Sequence, residues 1–244
     1  MTLSRKIVLL ISTIAILISI ISTSVSESFT LRHMEEDTLK KYEKTLKVKR
    51  TLITNQITDY FNSIQKQVVV MAYDHSIIDA AKAFTESFTT FPISPNNSLN
   101  GYYNNEFKAA YDQQNTTSIN TTSLYEGLSD RAQTLQSKFI SENPHPLGNK
   151  DKLDSINDGS DYDNTHQFHH PFIRKFLKEF GYYDIFIVEP DQGNVVYSVY
   201  KELDYATNLL SGPYRDSGIA EAFTAGLSLS PGETYITDFS AYIP

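Results

Sequence analysis

Three histidines, His166, His169 and His170, fall in a stretch that reads as helix. Spacings of three and four put two of them on one face, as in helical zinc sites, and Asp161 and Asp163 lie near enough to complete a ligand set. No His-Glu-x-x-His pattern accompanies them, and no general base is tied to the cluster. The competing reading is a polar helix start in which His170 caps or packs ahead of Pro171. A second cluster, Asp151, Asp154, Asp158, Asp161 and Asp163 around Gly159, lacks the closing Glu of a calcium loop and reads as a solvated acidic loop. Neither a Gly-x-Ser-x-Gly nucleophile turn nor a phosphate-cradling glycine loop occurs. The chain has no cysteine, which excludes disulfides and thiolate chemistry. Its formal net charge of -8 argues against nucleic acid as a partner. The expectation is a non-enzymatic protein with no resident cofactor.

The elements that carry these residues begin with a membrane signal. Arg5 and Lys6 precede an apolar run over residues 7–21, interrupted only by Ser12, Thr13 and Ser19 and extended by weakly polar residues to Val25. A span needs roughly 20 such residues. A cleaved signal peptide ending near Ser24-Val25-Ser26 is one reading. An uncleaved anchor over residues 7–25 is favoured, because no Gly or Pro occurs before Phe91 to end the helix. The basic residues 1–6 then stay in the cytoplasm of a bacterial cell, and the bulk of a single-pass chain lies in the periplasm.

Residues 26–73 read as one long stalk helix. Leu39, Tyr42, Leu46, Ile53, Ile57, Tyr60, Ile64, Val68 and Met71 recur at spacings of three, four or seven, a single apolar stripe. Such a stripe on a long helix implies a homodimer. Residues 74–180 read as a helical region. A capping box of Ser76 with Asp79 restarts the helix. An Asn/Ser/Thr-rich excursion follows from Pro92, in which sequons at Asn96, Asn115 and Asn120 are expected from composition alone. Helix returns over residues 129–141 and 165–180. Phe168, Phe172, Phe176 and Phe180, four apart, predict a core stripe. From residue 181 the period changes. Residues 183–189 and 195–200 predict a hairpin around Pro190-Asp191-Gln192-Gly193-Asn194, then a short helix over 219–227, then a third strand from Thr234 to Phe239. The class is α+β.

The order and several segments resemble the double Cache sensor domain, a PAS-like extracytoplasmic module of bacterial receptors. The stretch Phe180-Gly181-Tyr182-Tyr183-Asp184-Ile185-Phe186-Ile187-Val188 carries this, with Val195-Val196-Tyr197-Ser198-Val199, Lys201-Glu202, Asp204, Thr207-Asn208-Leu209, Gly212-Pro213-Tyr214 and Ser217. Residues 166–171 and 237–244 are similar too. The resemblance implies that residues 181–244 are part of a membrane-distal lobe with an antiparallel sheet. It also implies a small-molecule ligand and a cytoplasmic output module, most often that of a methyl-accepting chemotaxis protein; a histidine kinase or a nucleotide cyclase is the alternative. It implies a pocket lined by Tyr214, Arg215, Ser217, Tyr235 and Asp238, with Asp238 standing where amino-acid-sensing relatives hold the ligand's ammonium. Their Arg-x-Trp-Tyr partner motif is missing here, which weakens an amino-acid assignment. The last similar segment breaks off at Pro244, so the expectation is a truncated piece, or a non-signalling remnant, with open strand edges and low stability. The further alternative is an anchored periplasmic metalloenzyme using the histidine cluster.

Overall fold

The computed structural model describes residues 2–243; Met1 and Pro244, which close the expected cytoplasmic end and the last similar segment, lie outside them. The chain divides into two compact units, residues 1–64 and 65–244.

The first unit is helical from Leu3 onward and forms the bulk of α1 (Leu3–Tyr73). Its polar positions do not break the helix, because Thr13, Thr23 and Thr30 return their hydroxyls to carbonyls four residues back at 3.0, 2.9 and 2.8 Å. Among the described residues α1 is the one helix long and apolar enough to cross a membrane. At about 1.5 Å per residue the unit runs about 90 Å. The stripe residues Leu39, Tyr42, Leu46, Ile53, Ile57 and Tyr60 all stand exposed on it.

The second unit holds the last turns of α1 and everything after. Helix α2 (His75–Thr90) starts at Asp74, whose carboxylate accepts the Ser76 N–H at 2.8 Å; Asp74, rather than the Ser76/Asp79 box, is the cap. The Asn-rich excursion holds α3 (Ser98–Gly101), a wide π turn over Tyr102–Phe107, α4 (Lys108–Gln114) and α5 (Thr121–Glu126). Helix α6 (Asp130–Gln136) widens into a second π turn over Ser137–Ser141. Helix α7 (Asp161–Phe180) is capped by Ser160, which accepts the Asp163 N–H at 3.1 Å, and ends on the left-handed Gly181 at φ 71°.

Strands β1 (Phe186–Val188) and β2 (Val195–Ser198) form an antiparallel hairpin, and α8 (Gly218–Gly226) follows. Ile187 faces Tyr197 but Val188 faces Val195, so Val196 is an extra residue in the register. The Val196 carbonyl accepts the Tyr162 hydroxyl at 2.6 Å, and Tyr205 donates to that same tyrosine at 2.9 Å. The bulge thus pins α7 and the segment after β2 to the sheet. Glu189 builds the hairpin turn by accepting the N–H groups of Asp191, Gln192 and Asn194 at 2.9–3.1 Å.

The fold is mostly helical, with a small and open sheet of two strands rather than three. Residues 233–243 run as irregular chain and pair with no strand among the described residues. The predicted phenylalanine stripe also fails. Phe168, Phe172 and Phe180 are 79%, 52% and 48% exposed, while α7 buries Tyr162, His166, His170, Ile173 and Leu177. A spacing of four advances about 40° per step beyond a full turn, so four phenylalanines wind off any one face.

Candidate functional site: a tyrosine and carboxylate cleft

The chain reverses sharply after β2. Lys201 takes a left-handed backbone, φ 55°, and its buried ammonium donates to the carbonyls of Ser198 and Val199 at 3.0 and 3.2 Å. Burial pushes its pKa down to about 7, against the pull of the Asp184 carboxylate. This reversal delivers Glu202, Leu203 and Asp204 to the π turn at Tyr102–Phe107. Gln136 fixes the delivery. Its amide donates to the carbonyls of Leu203 and Tyr205 at 2.9 and 2.6 Å and accepts the Tyr103 hydroxyl at 2.6 Å. Thr207 adds a bond to the Asp204 carbonyl at 2.6 Å.

A cleft of about 710 Å³ opens here, walled by Tyr102, Phe107, Tyr111, Tyr183, Glu202 and Tyr242. Tyr183 donates to Glu202 at 3.0 Å. Burial pushes the Glu202 carboxyl up, and that hydrogen bond opposes it. Behind the wall, Asp204 is 1% exposed; one carboxylate oxygen accepts the Tyr242 hydroxyl, and the other, Oδ1, has no hydrogen-bond partner among the described residues. Burial pushes Asp204 up to about 8; the Tyr242 bond works against this, and the Asp184 and Glu202 charges add to it. Asp184 is itself pushed up to about 7 by burial, opposed by the Ile185 and Val199 N–H groups that it accepts at 2.6 and 2.9 Å. The Tyr214 hydroxyl is buried without a hydrogen-bond partner, and its ring sits 5.9 Å from that of Tyr242. After burial, the Asp204 charge is the largest cause holding that hydroxyl protonated. Chemically, the cleft offers aromatic faces and carboxylates to a ligand carrying positive charge.

The segment after β2 also shows why its residue types matter. Asn208 accepts the N–H groups of Leu210 and Ser211 at 2.9 Å each and donates to the Gln192 carbonyl at 2.7 Å. A Cβ on Gly212 would stand 2.5 Å from the Asn208 carbonyl oxygen, so only glycine fits.

The five residues expected to line a pocket do not share one chamber. Tyr214 alone joins the buried carboxylate cluster. Arg215 and Ser217 edge a shallow groove beside α8; Arg215 pairs with Asp216 at 3.4 Å, and Ser217 is the α8 cap. Tyr235 is 44% exposed and donates to Glu221 at 2.6 Å. Asp238 is exposed and accepts the Phe239 N–H at 2.8 Å. The residues of the cleft that sequence reasoning passed over are Tyr102, Tyr183, Glu202, Asp204 and Tyr242; only their place in the similar segments marked some of them.

The histidines serve packing. His166 and His170 stack with ring centroids 4.3 Å apart, both buried. Tyr197 donates to His170 Nδ1 at 2.7 Å and His170 Nε2–H donates to the Asp151 carbonyl at 2.7 Å, which fixes a neutral tautomer. Burial pushes both rings down, His170 to about 2, and the Lys201 charge adds to this. His166 Nδ1 bonds the Asp154 carbonyl at 2.9 Å, and His169 sits half-buried on the flank. No group of three metal-ligating side chains stands together among the described residues. The acidic loop is held rather than free: Asp151 pairs with Lys178 at 2.7 Å and Asp154 with Arg174 at 2.8 Å, while Asp163 accepts from Ser155 and Ile156.

Compared with known protein families, with curated proteins and with solved structures, the chain matches none of them.

Proposed function

We propose that this chain is the ligand-sensing region of a membrane-anchored bacterial signal receptor, of the methyl-accepting chemotaxis type, with its second unit in the periplasm. The alternative output is a histidine kinase or nucleotide cyclase driven by the same region. The observation that carries the reading is the tyrosine and carboxylate cleft of about 710 Å³, large enough for a small ligand, in a chain that also holds a membrane-length apolar helix. The basic Arg5 and Lys6 support a cytoplasmic amino terminus. The similarity of residues 180–217 to Cache sensors supports the same reading. The exposed stripe of Leu39, Leu46, Ile53 and Ile57 on α1 supports a parallel homodimer.

Two measurements on the full chain in bacterial inner membranes test this. Protease added outside spheroplasts should cut the second unit, and the unit's melting temperature should rise with some member of a mixed library of small anions, neutrals and cations. Protection of the whole second unit, or a flat response to every compound, would refute the reading. Cysteines placed at Leu46 or Ile53 should cross-link between copies, and those placed on the opposite face should not.

A further inference from the structure

We infer that the cleft is built for a primary organic ammonium, which enters by displacing the Tyr242 hydroxyl from Asp204. This deepens the sensing reading and rests on it.

Two polar atoms behind Tyr242 carry the argument. Asp204 Oδ1 and the Tyr214 hydroxyl are both buried and both without a hydrogen-bond partner among the described residues. Buried polar groups in folded proteins are almost always satisfied, so two exceptions on residues that both adjoin Tyr242 point to an occupant. Their chemistry selects it. Burial holds Asp204 up to about 8, so an ammonium binds as the carboxyl gives up its proton; ionised, Asp204 supplies acceptors only, and Tyr214 supplies an acceptor lone pair. An ammonium has three N–H donors and no acceptor, so it can meet Asp204 Oδ1, the Tyr214 oxygen and the Asp204 oxygen that Tyr242 now holds. A carboxylate or phosphate ligand would instead bring its charge against Asp184, Glu202 and Asp204. The approach is lined with the rings of Tyr183 and Tyr242, which favour a cation over their faces and leave room for an apolar or aromatic body, while the Tyr102 ring already carries the Lys150 ammonium 5.4 Å from its centroid.

Two buried protein lysines of this region already have partners. Lys201 bonds the Ser198 and Val199 carbonyls, and Lys150 bonds the Asn143 carbonyl at 3.0 Å. Tyr242 belongs to the irregular segment after residue 233, so it can leave without breaking a strand or a helix.

The test uses 2-phenylethylammonium, with 2-phenylethanol and 3-phenylpropanoate as matched neutral and anionic probes. Each is titrated calorimetrically into the full chain in detergent. The ammonium should bind saturably at one site and the other two should not. Asp204→Asn should weaken it at least tenfold. Tyr242→Phe, which removes the competing hydroxyl but keeps the ring, should tighten it several-fold; a merely structural Tyr242 would not do that. Equal binding of the alcohol or the acid, no binding of the ammonium, or weaker binding by Tyr242→Phe would overturn the inference. If an anion or a neutral compound from the mixed library stabilises the chain while the ammonium does not bind, only the ligand class falls. If no compound of any charge acts, the sensing reading falls with it.

Discussion

Gln136→Leu should cost this unit about 3.5 kcal/mol, and the figure comes from three hydrogen bonds. Gln136 is fully buried, accepts the Tyr103 hydroxyl at 2.6 Å, and donates to the carbonyls of Leu203 and Tyr205 at 2.9 and 2.6 Å. Leucine fills a similar volume and strands all three partners away from water. At about 1.5 kcal/mol per stranded group the loss is about 4.5 kcal/mol. Leucine's extra apolar burial returns about 1 kcal/mol. Tyr103→Phe alone should cost about 1 kcal/mol, because it strands only the Gln136 oxygen. In the double variant neither the Tyr103 hydroxyl nor the Gln136 oxygen is there to be stranded, so its loss of about 2 kcal/mol should fall short of the additive value by about 2.5 kcal/mol. The assay is urea unfolding of the detergent-solubilised chain followed by near-ultraviolet circular dichroism, with the 16 tyrosines as reporters and no tryptophan to mask them. A loss under about 1 kcal/mol for Gln136→Leu, or strict additivity in the cycle, would refute the claim that this amide holds residues 203–205 in place.

Gly212→Ala should cost about 2–3 kcal/mol in the same assay, since the new Cβ must push the Asn208 backbone aside; a neutral result would show that the turn relaxes freely. Asp204 is raised in the fold to about 8 from 3.8, so its contribution to stability is full below pH 4 and is lost as pH rises through about 8. Asp204→Asn should therefore gain on the parent protein as pH rises from 5 to 8, by at most about 1.4 kcal/mol per pH unit, and level off above that. The comparison with the variant is needed because His166 and His170, both lowered, contribute in the opposite sense: their stability is present above pH 6.5 and lost as pH falls. Lys201, lowered to about 7, likewise adds stability that fades as pH falls from 10.5. A constant difference between variant and parent across pH 5–8 would contradict the buried-carboxylate account.

What the sequence made legible was local. The α1 helix, the Gly181 end of α7 and the Pro190–Asn194 turn each depend on residues within a few positions of one another, whereas the Ser160 start of α7 lies four residues before the expected one. The turn was readable, though the carboxylate that holds it was not, because Glu189 reads as an ordinary strand end. The third strand was misread because alternation shows that a segment could pair, and not whether an edge is there to meet it. The buried face of α7 was misread because His166 and His170 find their partners in the carbonyls of Asp154 and Asp151 and in Tyr197, up to 27 residues away. Without those partners two imidazoles look like ligands, and the phenylalanines look like the core. The cleft was least legible of all. Its walls come from residues near 102, 183, 202 and 242, and no spacing rule connects them.

The bond between Tyr242 and Asp204 has a consequence for sensitivity. The hydroxyl that occupies the carboxylate is tied to the same chain, so it competes at a fixed local concentration whatever the number of copies present. The apparent affinity of any ligand that needs Asp204 is its intrinsic affinity reduced by the fraction of time the tether is lifted. Sequence change in the exposed stretch around Phe239 and Ser240 can alter that fraction without touching the carboxylates or the rings that choose the ligand. On the proposed reading, affinity and ligand choice are then set by different parts of the chain, and each can drift without dragging the other along.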